Sequence, residues 1–338
     1  MPTDYHSDYH SSEDIGDVSG FSIDSLDAYY QGYTHQDGRP YTIRQDLLLS
    51  RLAYIKAPPG FRGEIEGVTV RELCREIERA LENPDADASG LFGRNRQELL
   101  DIVSGIGEDS QIGALIVRGY IDDASGLAGY VLENNGELTI ALRGTDDGVD
   151  MLDNAILLPF NLSVQYASVR RLLAAYGGAR RIWLTGHSKG GHNAIYAASI
   201  DPRCRATGFN APGFGVFLSD AQHDGLSNGV NYVVNGDVTG FLLFHLERRA
   251  VLESPSATPA ESPSLRNRHK LDNFFSVDDL MVSSSIHPLG IWSEWITQII
   301  WLSLVFLAGY GIIVLLKKVC CGVIFIFAKI LDISKQKY

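Results

Sequence analysis

Between Tyr41 and Ser104 apolar positions recur every three or four residues. Leu47, Leu48, Leu52 and Ile55 make one helical stripe, stopped by Pro58-Pro59-Gly60. Thr69 with Glu72 three positions on reads as a capping box for a second helix carrying Val70, Leu73, Ile77 and Leu81. A turn-rich spacer, Asn83–Gly90, precedes a third helix from Arg96 to Ser104. From Ala114 the pattern changes to short apolar runs: Ala114–Arg118, Ala128–Glu133 and Leu138–Leu142. Asn134-Asn135-Gly136 joins the last two as a hairpin. A helix over Val164–Tyr176 ends at Gly177-Gly178, followed by a strand at Arg181–Thr185 and a helix at Gly190–Ser199. Ala206–Phe209 and Asn231–Val234 are further strands, and Gly240–Leu246 reads as a helix. This alternation predicts an α/β fold with a mixed, mostly parallel sheet flanked by helices.

Both ends depart from that pattern. Residues 1–40 carry eight acids and one base and show no sustained period, the composition of a disordered leader. They lack the basic and apolar regions of a secretory signal. Glu253–Ser264 is rich in Pro and Ser and reads as a flexible insertion. Ile296–Leu316 holds 21 residues without a charge, roughly 30 Å of helix and so the thickness of a bilayer core. Trp292, Trp295 and Trp301 lie at or near one end, and Lys317-Lys318 at the other, as membrane interfaces favour. A second apolar segment follows at Val319–Leu331, beside Cys320-Cys321, a candidate for lipidation. The predicted domains are therefore a leader (1–40), a globular domain (41–287) and a membrane-anchoring tail (288–338).

The net charge of -12 averages these unlike parts. An acidic total argues against a nucleic-acid partner. Four cysteines are too few for a disulfide framework. With no C-x-x-C, no H-E-x-x-H and no Walker pattern, neither a metal nor a nucleotide cofactor is expected.

The sharpest chemical signal is Gly186-His187-Ser188-Lys189-Gly190, a G-x-S-x-G between a predicted strand and a predicted helix. A nucleophile elbow needs that context. The tight turn lifts the Ser188 hydroxyl above the sheet, and the Lys189 N–H at the helix start can stabilise an oxyanion. The acid and base should follow in the order Ser, Asp, His. Asp237 lies just past the strand Asn231–Val234; Asp220 and Asp224 are alternatives before it. For the base, His269 is the first candidate, with His245 and His287 as alternatives. His245 on the predicted helix would point away from the site. His187 and His192 are too close to the elbow to act as base and read as supporting residues. Thr145 or Asp146, in the loop after Leu138–Leu142, can supply the second oxyanion N–H.

These residues resemble a family. Leu142-Arg143-Gly144-Thr145-Asp146-Asp147 looks like the "RGT" oxyanion loop of the class 3, fungal-type lipases. Gly186–Gly191 (GHSKGG) looks like a poorly characterised bacterial lipase-like family of α/β-hydrolases, as does Phe209–Gly215 (FNAPGFG). Asn231–Leu243 is similar to that family's strand-then-acid region. The resemblance covers roughly Tyr41 to Phe275 and implies an α/β-hydrolase fold and a lipase-type reaction; the apolar tail lies outside it.

Together these readings predict a membrane-anchored serine hydrolase of lipid or phospholipid esters, with Ser188, Asp237 and His269 as triad. An inactive hydrolase-fold scaffold and a secreted lipase-type effector are the competing expectations. Membrane orientation is open: insertion after synthesis leaves the domain in the cytosol, whereas Lys317-Lys318 favour the reverse.

Overall fold

A computed structural model describes residues 40–56, 65–82, 96–144, 163–214, 219–253, 269, 271–274 and 281–282, and six positions between 295 and 311. These group into two units, 1–293 and 294–338.

The first unit opens with α1 (Ile43–Leu52), α2 (Val70–Glu82) and α3 (Arg96–Glu108). Thr42 caps α1: its Oγ1 accepts from the Gln45 N–H at 3.2 Å while the Gln45 side chain accepts from the Thr42 N–H. Thr69 and Glu72 do the same for α2, at 3.2 and 2.7 Å, as their spacing predicts. The third helix runs four residues past its predicted end at Ser104. Gly107 within it is a contact point rather than a stop: a Cβ there would lie 3.0 Å from the Cys74 Cβ, so the small residue lets α3 approach α2.

Eight strands follow in one sheet, in sequence order: β1 (Ile116–Asp122), β2 (Ala128–Asn134), β3 (Glu137–Leu142), β4 (Ile182–His187), β5 (Cys204–Phe209), β6 (Gly229–Val234), β7 (Arg248–Glu253) and β8 (Met281–Val282). β3 to β7 are parallel; β1, β2 and β8 run against their neighbours. The β2–β3 hairpin turns on Asn135 and Gly136, both at positive φ (52° and 81°), the conformation that an Asn-Gly type I′ turn requires. α4 (Val164–Ala175), α5 (Lys189–Ile200) and α6 (Asp220–Gly225) connect β3 through β6.

Crossovers between sequential parallel strands are right-handed, so these connecting helices share one face of the sheet. The strand alternation agrees. Leu138, Ile140, Leu142, Ile182 and Leu184 join Val169, Leu173, Ala194 and Ile195 in one apolar core. The intervening Ala141 and Trp183 face the other way, onto α1, α2 and α3. That second layer is also fastened by polar groups. Buried Asp46 of α1 accepts from Trp183 Nε1 at 3.0 Å and from Thr207 Oγ1 at 2.8 Å, and Ser50 bonds Thr185 at 2.9 Å.

Several boundaries differ from expectation. The predicted helix over Gly240–Leu246 is only a 3-10 turn at Thr239–Phe241. Beyond it the chain is extended, and Phe244 pairs with Phe214 through bonds of 2.8 and 3.0 Å. β7 was not foreseen. Only Ala250 and Leu252 of its six residues face a core, too few for a visible alternation. Glu253, expected to open the flexible insertion, is its last residue; the rest of the insertion and residues 1–39 lie outside the described residues.

In the second unit, Trp295, Ile299, Ser303, Phe306, Tyr310 and Gly311 are helical and exposed. No helix among the described residues is long and apolar enough to cross a membrane. Most of the span predicted at 296–316, and all of 319–331, lies outside them.

The buried thiols of Cys74 and Cys204 are each pushed up to about 12, chiefly by burial. At pH 8 only about one in ten thousand of each is then thiolate, against roughly a quarter for a solvated thiol. Neither should react with a thiol reagent at pH 8 before denaturation, as read by peptide mass mapping.

Candidate active site

The site is built on one residue between β4 and α5. Ser188 has φ 55° and ψ -127°, a strained conformation for a side-chain-bearing residue, and it is the N-cap of α5. Strand, turn and helix thus follow within three residues. The turn brings α5 against β3, and two glycines make room. A Cβ on Gly186 would lie 2.7 Å from the Leu142 carbonyl oxygen, and one on Gly190 2.7 Å from the Arg143 carbonyl carbon. The Ser188 N–H is held by the Phe209 carbonyl of β5 at 2.9 Å, which fixes the turn from the other side. The first N–H groups of α5 have no partner within the helix and point out beside the hydroxyl, with the positive end of the helix dipole behind them.

A carboxylate and an imidazole converge on that hydroxyl. His269 Nε2 lies 2.9 Å from Ser188 Oγ, and its Nδ1 lies 3.1 Å from Asp237 Oδ2 and 3.2 Å from Oδ1. An ionised carboxylate only accepts, so Nδ1 carries the proton and Nε2 is left to accept from the serine hydroxyl. Asp237 follows β6 and is fully buried. The Gly240 N–H donates to its Oδ2 at 2.8 Å and the Thr239 N–H to its Oδ1 at 3.2 Å, which satisfies the carboxylate in its buried position. The side chain of His269 is 24% exposed, so the ring keeps one edge open to solvent.

A family model described as Mbeg1-like matches residues 124–299, just over half of the chain. The chain belongs to the Mbeg1-like family. No curated protein matches it in sequence. Among solved structures it is similar to a mutant form of MDLA from Penicillium cyclopium, at 14% identity, with 63% of this chain and 80% of that one covered and a TM-score of 0.38. The match to the Mbeg1-like model contains β2 through β8 and all three residues of the hydrogen-bonded set.

Around that set, the Mbeg1-like chain holds His269 by the main chain as well as by Asp237. The His269 carbonyl accepts from His187 Nε2 at 2.7 Å and from Asn210 Nδ2 at 3.3 Å. In the neutral His187 ring, Nδ1 then accepts from the Tyr54 hydroxyl at 2.7 Å. Asn210, at φ 48°, also accepts from the Val234 N–H at 2.8 Å, so one side chain ties the His269 backbone to the end of β6. Tyr54 and Asn210 were missed as supporting residues. An Asn directly after a strand, where left-handed backbone is common for that residue, was the available signal for Asn210; Tyr54 gave none.

The remaining candidates lie apart from the serine. His192 is buried, bonding Tyr166 at 2.7 Å and the Pro212 carbonyl at 3.1 Å, a supporting role as expected. His245, the alternative base, bonds Glu247 at 2.6 Å. Burial pushes the Glu247 carboxyl up, but the adjacent His245 outweighs it and holds it below its ordinary value. Asp220 and Asp224 fall on α6, before β6. The Lys189 side chain is buried, its Nζ 6.0 Å from the Tyr166 ring centroid. Thr145, Asp146 and His287 lie outside the described residues. No group of three or more potential metal ligands occurs among the described residues.

Glycine at position 188 relieves the strain of that backbone conformation. Ser188→Gly should be more stable than Ser188→Ala by about 1 kcal/mol, although both lack the hydroxyl. Denaturant midpoints of the two variants check this.

Proposed function

We propose that this chain is a serine hydrolase of carboxylic esters. The observation that carries the reading is the chain of hydrogen bonds from Ser188 Oγ to His269 Nε2, and from His269 Nδ1 to buried Asp237. Serine is a weak nucleophile until a base takes its proton, and the base works only if a third group fixes its tautomer.

The mechanism follows from these atoms. Ser188 Oγ attacks the ester carbonyl carbon as His269 Nε2 takes its proton. Asp237 stabilises the imidazolium that forms. The oxyanion of the tetrahedral intermediate lies at the start of α5, where the Lys189 N–H donates to it, with Thr145 as the second donor. His269 then gives its proton to the leaving alkoxide, releasing the alcohol and leaving an acyl group on Ser188. Water repeats the sequence in reverse, again through His269, and frees the acid.

We infer a lipid-like acyl ester as substrate and attachment to a bilayer as the setting. The 21 uncharged residues of Ile296–Leu316 support this, as does the exposure of Trp295, Ile299, Phe306 and Tyr310. An anchor of that kind holds the site at a lipid surface. Ser188→Ala should reduce hydrolysis of a short-chain p-nitrophenyl ester by at least about a thousandfold and abolish labelling by a fluorophosphonate probe. Equal labelling of wild type and Ser188→Ala would overturn the reading.

A further inference from the structure

Tyr54 stands two residues past α1, outside the residues 124–299 that match the family model, yet its side chain reaches the Ser188 site. Its hydroxyl lies 2.7 Å from His187 Nδ1, and His187 Nε2 lies 2.7 Å from the His269 carbonyl. The same hydroxyl abuts Gly144, two residues past β3. A Cβ on Gly144 would lie 2.3 Å from Tyr54 Oη, 2.7 Å from the His187 carbonyl oxygen and 3.1 Å from the Ser188 Cβ. Only glycine at 144 leaves room for the hydroxyl beside the elbow.

Tyr54 is itself held firmly. Its N–H donates to the Arg51 carbonyl at 3.0 Å as α1 ends. Its ring packs against the apolar cluster that contains Phe209, Leu271 and Phe274. Leu271 and Phe274 follow His269 by two and five residues, so the tyrosine supports that segment by apolar packing as well as by hydrogen bonds. The polar link has a fixed direction. The His269 carbonyl only accepts, so His187 Nε2 carries the proton, and in the neutral ring Nδ1 accepts. Tyr54 supplies the donor that this tautomer needs. His187 is buried, and there an acceptor without a donor is costly.

Given the hydrolytic roles proposed for Ser188, His269 and Asp237, and resting on them, we propose that Tyr54 is a positioning residue for the reaction: its hydroxyl holds His187, and His187 holds the His269 main chain where Nε2 reaches Ser188 Oγ. Tyr54 touches no reacting atom. Its effect enters through the 2.9 Å contact between His269 Nε2 and Ser188 Oγ, across which the proton moves in both acylation and deacylation. A displacement of about 1 Å there can slow a reaction about a hundredfold. The one hydrogen of the phenol is engaged by His187, so its loss falls on kcat rather than on KM.

Hydrolysis of a short-chain p-nitrophenyl ester by the full chain, with sites counted by end-point fluorophosphonate titration, tests this. Tyr54→Phe keeps the ring and loses only the hydroxyl. Its kcat should fall about ten- to a hundredfold, with KM within about twofold of wild type. Its rate of fluorophosphonate labelling should fall by a similar factor. Tyr41→Phe removes another tyrosine hydroxyl, 2.7 Å from Thr139 Oγ1 near the amino end of β3, and should leave kcat unchanged. Tyr54→Phe/His187→Gln should be within about twofold of the slower single variant, because both changes act along one path. An unchanged kcat in Tyr54→Phe overturns the proposal, as does a loss confined to KM. An equal loss in Tyr41→Phe also overturns it, since the effect would then be a general loosening of the fold. Losses that multiply in the double variant do the same, because the hydroxyl would then act apart from His187. In all these outcomes the wild type still hydrolyses the ester. A wild type that neither hydrolyses nor labels overturns the hydrolase assignment itself, and this proposal with it.

Discussion

A single residue must turn the chain from β4 into α5, and the rest of the molecule depends on that constraint. Ser188 at φ 55° costs on the order of 1–3 kcal/mol of local strain. It persists because both neighbours are committed. Every residue of α5 from Lys189 to Ser199 is buried, so the helix cannot move without opening the core it shares with β3, β4 and α4. The glycines before and after Ser188 are where that helix meets the carbonyls of Leu142 and Arg143. Core packing therefore holds a strained serine in place, and the same packing aims the N-terminal N–H groups of α5 at the space above it.

His269 needs a different kind of support, because it comes from a chain segment beyond β7 rather than from a strand end. Its ring is fixed by Asp237, and its backbone carbonyl by His187 and Asn210. His187 is the last residue of β4 and is hydrogen-bonded in turn to Tyr54, just after α1. One end of the imidazole's anchorage thus reaches the helical layer on one face of the sheet, and the other reaches β6. Asp237, with two backbone donors and His269, stays satisfied while fully buried.

Legibility followed the range of the interactions. The Thr69–Glu72 box, the Asn135-Gly136 turn and the Gly-flanked serine are local devices, and each stood in the sequence as it stands in the fold. Asp237 was readable because an acid directly after a strand end has few other places to be. His269 was harder: its partners are 32 and 81 residues away, and only its position after β7 fixes the pairing. The failures are of the same type. Gly240–Leu246 has helical composition, but Phe244 finds a strand-like partner in Phe214, and tertiary pairing overrides propensity. Gly107 of α3 marks a close helix contact with Cys74, and a stop signal looks identical in sequence. β7 buries too little to announce itself.

The central claim is that His269, and not His245, activates Ser188. The rate of fluorophosphonate labelling of Ser188, measured by peptide mass in the wild type, His269→Ala and His245→Ala, tests it most directly. The account predicts a loss of about a thousandfold or more in His269→Ala and a rate within a few-fold of wild type in His245→Ala. Full labelling of His269→Ala, with loss in a folded His245→Ala, would contradict it.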